Sequence, residues 1–331
     1  MKEIRITARE AGQRLDKYLI RYLPAAGKSF LYKMMRKKNI ILNGRRAGGN
    51  ELLREGDAIR LFFSDETFAK FQGAGTAPGT AFPVLPASAV LYEDREVLAV
   101  SKPAGMLSQK AAPGDLSLVE YITGYLLSTG ELRREELQSF HPGIANRLDR
   151  NTSGLILAGK TMAGAQALAE LFRERTMKKY YLALAEGEIR EAGHIMGYLK
   201  KDGARNQVRI SSRPEQDASY IETAWEPLGN SRGLTLLKVD LITGRTHQIR
   251  SHLASIGHPL AGDRKYGGLS QNTGRGNGYG LKHQFLHAWK ICFPHLDGAL
   301  EGLAGRTLTA PLPDPLKELL SNLNLLEALH E

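Results

Sequence analysis

The spacing of apolar residues changes character several times along this 331-residue chain. Near the N-terminus, Arg14-Leu15-Asp16-Lys17-Tyr18-Leu19 and Phe30-Leu31-Tyr32-Lys33-Met34-Met35-Arg36 carry apolar residues three and four apart, which predicts two short helices. Ile40-Ile41-Leu42 runs into an Asn43-Gly44 turn, and Gly56-Asp57 turns into Ala58-Ile59-Arg60-Leu61, so a small sheet is expected beside them. From 64 to 88 the period disappears into Gly, Ala and Pro, including Gly73, Gly75, Pro78, Pro83 and Pro86, and a linker is expected there.

Beyond residue 89 the pattern becomes regular again. Val90 to Val100 reads as two strands around an acidic turn, with Lys102-Pro103-Ala104-Gly105 as a tight loop after them. Leu155 to Leu157 continue a strand, and Thr161 is placed to cap a helix with Met162, Ala165, Leu168, Ala169 and Phe172 in one apolar stripe. Strand-like segments follow at 180–186, 207–213, 221–226, 234–242 and 285–293. Ile249, Leu253 and Ile256 predict a short amphipathic helix entered from a turn and stopped by Gly257. Short strands in succession with few helices between them favour an α+β fold built on a largely antiparallel mixed sheet. The expected organisation is a small domain over 1–64, a linker over 65–88 and a larger domain over 89–331.

Charge separates the two domains further. The whole chain carries a net +10, and residues 1 to 65 hold 15 Lys and Arg against 7 Asp and Glu, which places +8 of that excess in the first fifth. Lys28, Lys33, Arg36, Lys37, Lys38, Arg45 and Arg46 gather around the second helix and the hairpin. A charge run alone is usually a solvated face, but a basic excess of this size favours a polyanionic partner, nucleic acid before an acidic membrane surface. The lone Cys292 cannot form an internal disulfide, the N-terminus MKEIRITARE is polar, and no apolar run reaches about 18 residues, so a cytoplasmic protein without a membrane partner is expected.

The candidate chemistry sits in Asn146-Arg147-Leu148-Asp149-Arg150-Asn151-Thr152-Ser153-Gly154, one carboxylate between two arginines just ahead of a buried strand. On residue types alone this is an ordinary surface turn with an ion pair; held at the mouth of a core strand, Asp149 would be an ionised nucleophile. In Thr243-Gly244-Arg245-Thr246-His247-Gln248-Ile249-Arg250, Arg250 borders the buried stripe, from which it can snorkel outward or pair bidentately with an acid inside a cleft. Either reading fits the spacing. Tyr180 and Tyr181 fall on opposite faces of one strand, so only one of them can face a site. His247 and His252, five apart, lack a same-face metal spacing, and His283 and His287 lack neighbouring ligands, so no metal is expected. The glycines at 73 and 75, and those at 274, 276, 278 and 280, do not follow a strand and open a helix as a phosphate loop must. The second group reads as a mobile loop.

Two resemblances follow. The order of elements over 12–62 resembles the α-L, or S-four, RNA-binding domain. Lys-Pro-Ala-Gly at 102–105, Arg-Leu-Asp-x-x-Thr-Ser-Gly at 147–154, Lys-Lys-Tyr-Tyr-Leu-Ala-Leu-Ala-Glu-Gly at 178–187 and Thr-Gly-Arg-Thr-His-Gln-Ile-Arg at 243–250, in that order, resemble the RluA family of RNA pseudouridine synthases. That resemblance implies the pseudouridine synthase fold and an isomerase, an intramolecular transferase without metal or cofactor, which detaches uracil from C1′, rotates it and rejoins it through C5. It implies Asp149 as nucleophile, Tyr181 stacked on the base, Arg250 paired with Asp149, and Arg147 filling the space left by a flipped-out nucleotide. The seven basic residues of the N-terminal module would bind RNA, expected to be large-subunit ribosomal RNA, with the protein acting as a monomer. Many family members have His before Arg-Leu-Asp where this chain has Asn146, a departure at a position that the implied mechanism does not require. The other reading is a non-catalytic RNA-binding or ribosome-assembly protein that keeps the fold; Asp149, Tyr181 and Arg250 argue against it.

Overall fold

The computed structural model describes residues 1–72, 81–202, 207–267 and 280–329. The glycines at 73 and 75 and those at 274, 276 and 278 lie outside the described residues.

The N-terminal unit comprises β1 (Lys2–Arg5), α1 (Leu15–Tyr22), α2 (Lys28–Arg36), β2 (Ile40–Leu42), β3 (Arg45–Arg46), β4 (Ala58–Leu61) and α3 (Asp65–Gln72). Its strands pair antiparallel in the order β1-β4-β2-β3. Asn43 and Gly44 both take positive φ, as a two-residue turn between right-twisted strands requires. Leu15, Tyr18 and Leu19 from α1 and Leu31 and Met35 from α2 share one core with Ile40, Ile59 and Leu61. The expected linker is corrected at its start, because Asp65–Gln72 is helical. Phe68 and Phe71, three apart, dock with Phe63 on the same core, and the Phe30 and Phe71 ring centroids are 4.5 Å apart. The stretch is ordered at its other end too: Leu85 is buried and Phe82 packs against the second core.

That second unit comprises β5 (Val90–Glu93), β6 (Val97–Lys102), α4 (Leu118–Ser128), β7 (Gly143–Ile144), β8 (Ser153–Gly159), α5 (Met162–Glu174), β9 (Lys178–Glu186), β10 (Gly193–Asp202), β11 (Gln207–Ser211), β12 (Ser219–Ser231), β13 (Leu234–Leu241), α6 (Gln248–Ser255), β14 (Leu286–Cys292), β15 (Thr307–Thr309) and α7 (Asp314–Asn322). Its sheet runs β11-β10-β12-β13-β9-β14-β8-β6-β5, with β7 on β8 and β15 on β14. Among the described strands only the β14–β8 pair is parallel. β14 enters between β8 and β9, which are neighbours in sequence but not in the sheet. The parallel contact is close: Gly154, with φ +115°, has no room for a side chain, since a Cβ there would lie 2.2 Å from the Ala288 carbonyl oxygen.

Alternation sorts the sheet into two faces. Leu98, Val100, Ile156, Tyr181, Ala183, Val239 and Ala288 point to the side covered by α4 and α6. Val97, Ala99, Leu155 and Leu157 point the other way, toward α5, while Leu182, Leu184 and Leu236 meet Leu319 and Leu320 of α7. Thr161 caps α5 as expected, accepting from Gly164 N at 3.0 Å. The α5 stripe is rotated from the expected one: Leu171 is buried and Ala169 is exposed. Gly164 lies against the Glu96 carbonyl, an approach that a Cβ would block at 2.3 Å, and this sets the rotation. In α6, Ile249 and Leu253 are buried as expected, but Ile256 falls past the last turn and is exposed.

The two units touch through Thr7–Gly12. The Arg9 carbonyl accepts from Met162 N at the start of α5, its guanidinium donates to the carbonyls of Lys160 and Glu131, and the buried Glu10 carboxylate accepts from Ser139. No helix among the described residues is long and apolar enough to cross a membrane.

Candidate active site

Asp149 stands in the turn between β7 and β8, and the residues on either side of it are pinned. Ser108 Oγ accepts from the Leu148 amide at 3.1 Å and lies 2.8 Å from the Leu148 carbonyl. Arg150 exchanges two hydrogen bonds with Gly105: the Gly105 amide donates to the Arg150 carbonyl at 2.8 Å, and Arg150 Nε donates back at 3.1 Å. Lys102, with no exposed surface, donates from Nζ to the carbonyls of Pro103, Met106 and Arg150 at 2.9, 2.9 and 3.1 Å. The Lys-Pro-Ala-Gly loop is thus a clasp that fixes where the Asp149 carboxylate points. Burial pulls the Lys102 ammonium down to a pKa of about 7, with the charge of Asp149 acting the other way.

Arg250 on α6 donates from Nη1 to Asp149 Oδ2 at 2.8 Å. The bidentate partner of this arginine is a different acid. Nε and Nη2 reach Asp263 at 2.7 and 2.9 Å, and Asp263 is buried while its oxygens also accept from the amides of Lys265 and Tyr266. Burial works against charge on both partners, yet their mutual hydrogen bonds win: the arginine is held above its ordinary pKa and Asp263 below the usual carboxylate range. Arg250 therefore does not snorkel. It is a buried bridge between a structural acid and the partly exposed Asp149, and Tyr266 lies beneath it with the guanidinium carbon 5.2 Å from the ring centre.

The rest of the Thr243–Arg250 segment divides by helix face. Gln248 points inward, donating to the Glu222 carbonyl and Thr223 Oγ1 and accepting from Thr243 Oγ1 and the Arg245 amide, which locks the turn that enters α6. His252, one turn on, lies 2.8 Å from Thr223 Oγ1. His247 and Arg250, three apart, share the other face and both look toward Asp149.

Tyr181 on β9 is buried with the cluster under α4 and α6, whereas Tyr180 faces the opposite side against Lys238. Burial, and then the charge of Asp149, push the Tyr181 hydroxyl above its ordinary pKa. Asp149, Tyr181 and Arg250 thus come together from three distant segments. Arg147 is exposed beside them and makes no hydrogen bond or ion pair among the described residues. Asn146 is structural, because its side chain accepts from Leu157 N at 2.8 Å and donates to the Leu155 carbonyl at 3.1 Å, fastening the turn to β8. Lys28, Lys33, Arg36, Lys37, Lys38, Arg45 and Arg46 are all exposed in the N-terminal unit, remote in sequence from Asp149, and Lys28, Tyr32 and Arg36 line a hollow of about 360 Å³ there.

Residues 96–255 match the family model described as RNA pseudouridylate synthase. Across 327 residues, covering 98% of this chain and 97% of the relative, the sequence is 32% identical to the ribosomal large subunit pseudouridine synthase C of Escherichia coli (strain K12). The chain belongs to the RNA pseudouridine synthases.

An uncharacterized RNA pseudouridine synthase of Mycoplasma genitalium is 30% identical over 289 residues, 86% of this synthase and 87% of that relative. Among solved structures, human RNA pseudouridylate synthase domain containing 4 superposes with a TM-score of 0.56 at 21% identity, over 72% of this chain and 93% of that one, which agrees with the α+β architecture. The synthase is an isomerase acting on RNA, and the reading as a non-catalytic scaffold falls away.

Proposed function

We propose that this synthase converts uridines of large-subunit ribosomal RNA to pseudouridine by extruding the target nucleotide and attacking it with Asp149. The convergence of Asp149, Tyr181 and Arg250 carries the reading. Breaking the bond from uracil N1 to C1′ leaves positive character on C1′, and a carboxylate paired with Arg250 is suited to meet it. A glycoside hydrolase adds a second carboxylate to direct water, whereas here the other nearby acid, Asp263, is buried and occupied by Arg250. Tyr181 would stack on the released base and take part in moving the C5 proton once C5 has joined C1′. Arg147, exposed two residues before Asp149, would enter the gap left by the extruded nucleotide, offsetting an unstacking cost of a few kcal/mol.

The N-terminal unit would hold the RNA through its seven exposed cations, which position phosphates and read no base. The named Escherichia coli relative supports the choice of ribosomal RNA. The test is tritium release from 5-tritiated uridine in ribosomal RNA by the purified protein and by Asp149→Asn. Release by the wild type alone is expected. Release by the variant at the wild-type rate would remove Asp149 from the mechanism.

A further inference from the structure

His247 and Tyr266 stand beside Asp149, and neither has a part in the reaction as proposed so far. His247 precedes α6 with φ +57°, in the left-handed region that non-glycine residues seldom adopt and that recurs at functional sites. Its ring lies with Nε2 3.8 Å from Asp149 Oδ2 and Nδ1 2.9 Å from the Tyr266 hydroxyl. That hydroxyl already accepts a hydrogen bond from the Val208 amide of β11 at 3.0 Å.

An amide N–H can only donate, so this bond occupies a lone pair of Tyr266 and leaves its own hydrogen to be donated. His247 Nδ1, 2.9 Å away, is within reach as its acceptor. A ring nitrogen that accepts carries no hydrogen, and a neutral imidazole then bears its hydrogen on Nε2, aimed at Asp149. Burial favours the neutral ring; Asp149 and Asp263 oppose that effect, and Arg250 and Lys265 reinforce it.

Asp149 Oδ2 already receives Arg250 Nη1, and no hydrogen bond among the described residues reaches Oδ1. We infer that Tyr266 and His247 are positioning residues: Tyr266 fixes the His247 tautomer, the Nε2–H closes on Asp149 Oδ2 when RNA covers the site, and Oδ1 is left to face C1′ of the target nucleotide. At 3.8 Å the pair is in contact but not hydrogen-bonded, and expelling water strengthens the attraction between them. The inference rests on the reading of Asp149 as the reacting carboxylate.

The experiment uses full-length protein carrying ¹⁵N-labelled histidine. A proton–nitrogen correlation spectrum at pH 7, with His247→Gln to identify the signal, is expected to show His247 protonated at Nε2 and bare at Nδ1. Tyr266→Phe, which keeps a ring under Arg250, is expected to mix the tautomers. In single-turnover tritium release at saturating RNA, Tyr266→Phe should slow the reaction about 10-fold and His247→Ala about 100-fold, with RNA affinity within about twofold. His247→Gln, which retains a neutral N–H donor, should recover about tenfold over His247→Ala. A wild-type His247 protonated at Nδ1, or a His247→Ala enzyme with the wild-type rate, overturns the inference. If Asp149→Asn is silent in the same assay, the carboxylate reading stands regardless; if it is active, that reading fails instead. Should His247→Ala not fold, the tautomer spectra of wild type and Tyr266→Phe decide the matter.

Discussion

The Arg250 guanidinium meets Asp149 through a single nitrogen, Nη1 to Oδ2 at 2.8 Å, because its other two nitrogens are turned to Asp263. A lysine in its place is a point charge on a flexible stem and cannot serve both acids. Arg250→Lys is therefore expected to lower the stability of the fold by about 3 kcal/mol or more, the usual cost of breaking a buried pair, and to cut turnover at least about 100-fold. Thermal unfolding and tritium release check the two effects separately. Wild-type turnover in a destabilised variant would show that Arg250 supports the fold alone.

Tyr180 and Tyr181 offer an internal control, being adjacent in sequence and on opposite faces of β9. Tyr181→Phe keeps a ring for stacking but loses the hydroxyl, so RNA binding should persist while turnover falls about 100-fold or more. Tyr180→Phe should stay within about twofold of wild type, as surface changes usually do. Reversed effects in steady-state kinetics would move the active-site tyrosine to the other face.

Lys102 sets a pH dependence of stability. Its folded pKa of about 7 lies below the ordinary 10.5. Between those values the unfolded chain holds the proton more often than the folded one, so stability rises with pH across that window and the cost is fully present below pH 7. Lys102→Met removes this contribution. Denaturant unfolding at pH 7 and pH 9.5 should show wild type gaining more stability than the variant as pH rises; parallel behaviour would mean that the three carbonyls keep the lysine charged throughout.

Gly154→Ala should be among the most damaging small substitutions in the protein. It places a methyl group 2.2 Å from the Ala288 carbonyl oxygen and demands φ +115° of a residue with a Cβ. Strain and overpacking together make a loss of about 2–5 kcal/mol the expected outcome, read by chemical unfolding. A variant as stable as wild type would show that the β8–β14 contact can spread apart.

Arg36 and Lys37 are exposed on and just after α2. If the N-terminal unit holds phosphates, replacing both with alanine should weaken RNA binding and shallow its dependence on salt, by about 0.7 to 0.9 per lost contact on a double-logarithmic plot. The rate at saturating RNA should not change. An unchanged salt slope would place the RNA elsewhere.

The legible parts of this molecule are those set by local period. Alternation places Tyr180 and Tyr181 on opposite faces, and apolar spacing marks α1, α2 and the buried face of α6. Helix α3 is hidden by the Gly- and Pro-rich composition that follows it, although Phe68 and Phe71 carry the signal. Strand β10 lacks a clear alternation because its inward positions include a glycine, Gly197, between Ile195 and Leu199. The division of Arg250 between Asp149 and Asp263 has no local signature, since Asp149 lies 101 residues before the arginine. Asp263 and His247 are visible only as residues in or next to a motif. Lys102 looks like part of a surface loop, and nothing short of the packed sheet reveals that its ammonium is enclosed and bound to three carbonyls.

Until β14 is in place the large sheet is two separate pieces, β5-β6-β8 and β9-β13-β12-β10-β11. Asp149 leads into one piece, while Tyr181 belongs to the other and Arg250 follows its last strand. The strand that joins them pairs His287 with Ser153, 134 residues apart. On a ribosome making this chain, the two halves of the sheet that carry Asp149 and Tyr181 can be joined only after nearly nine-tenths of the polypeptide has been synthesised.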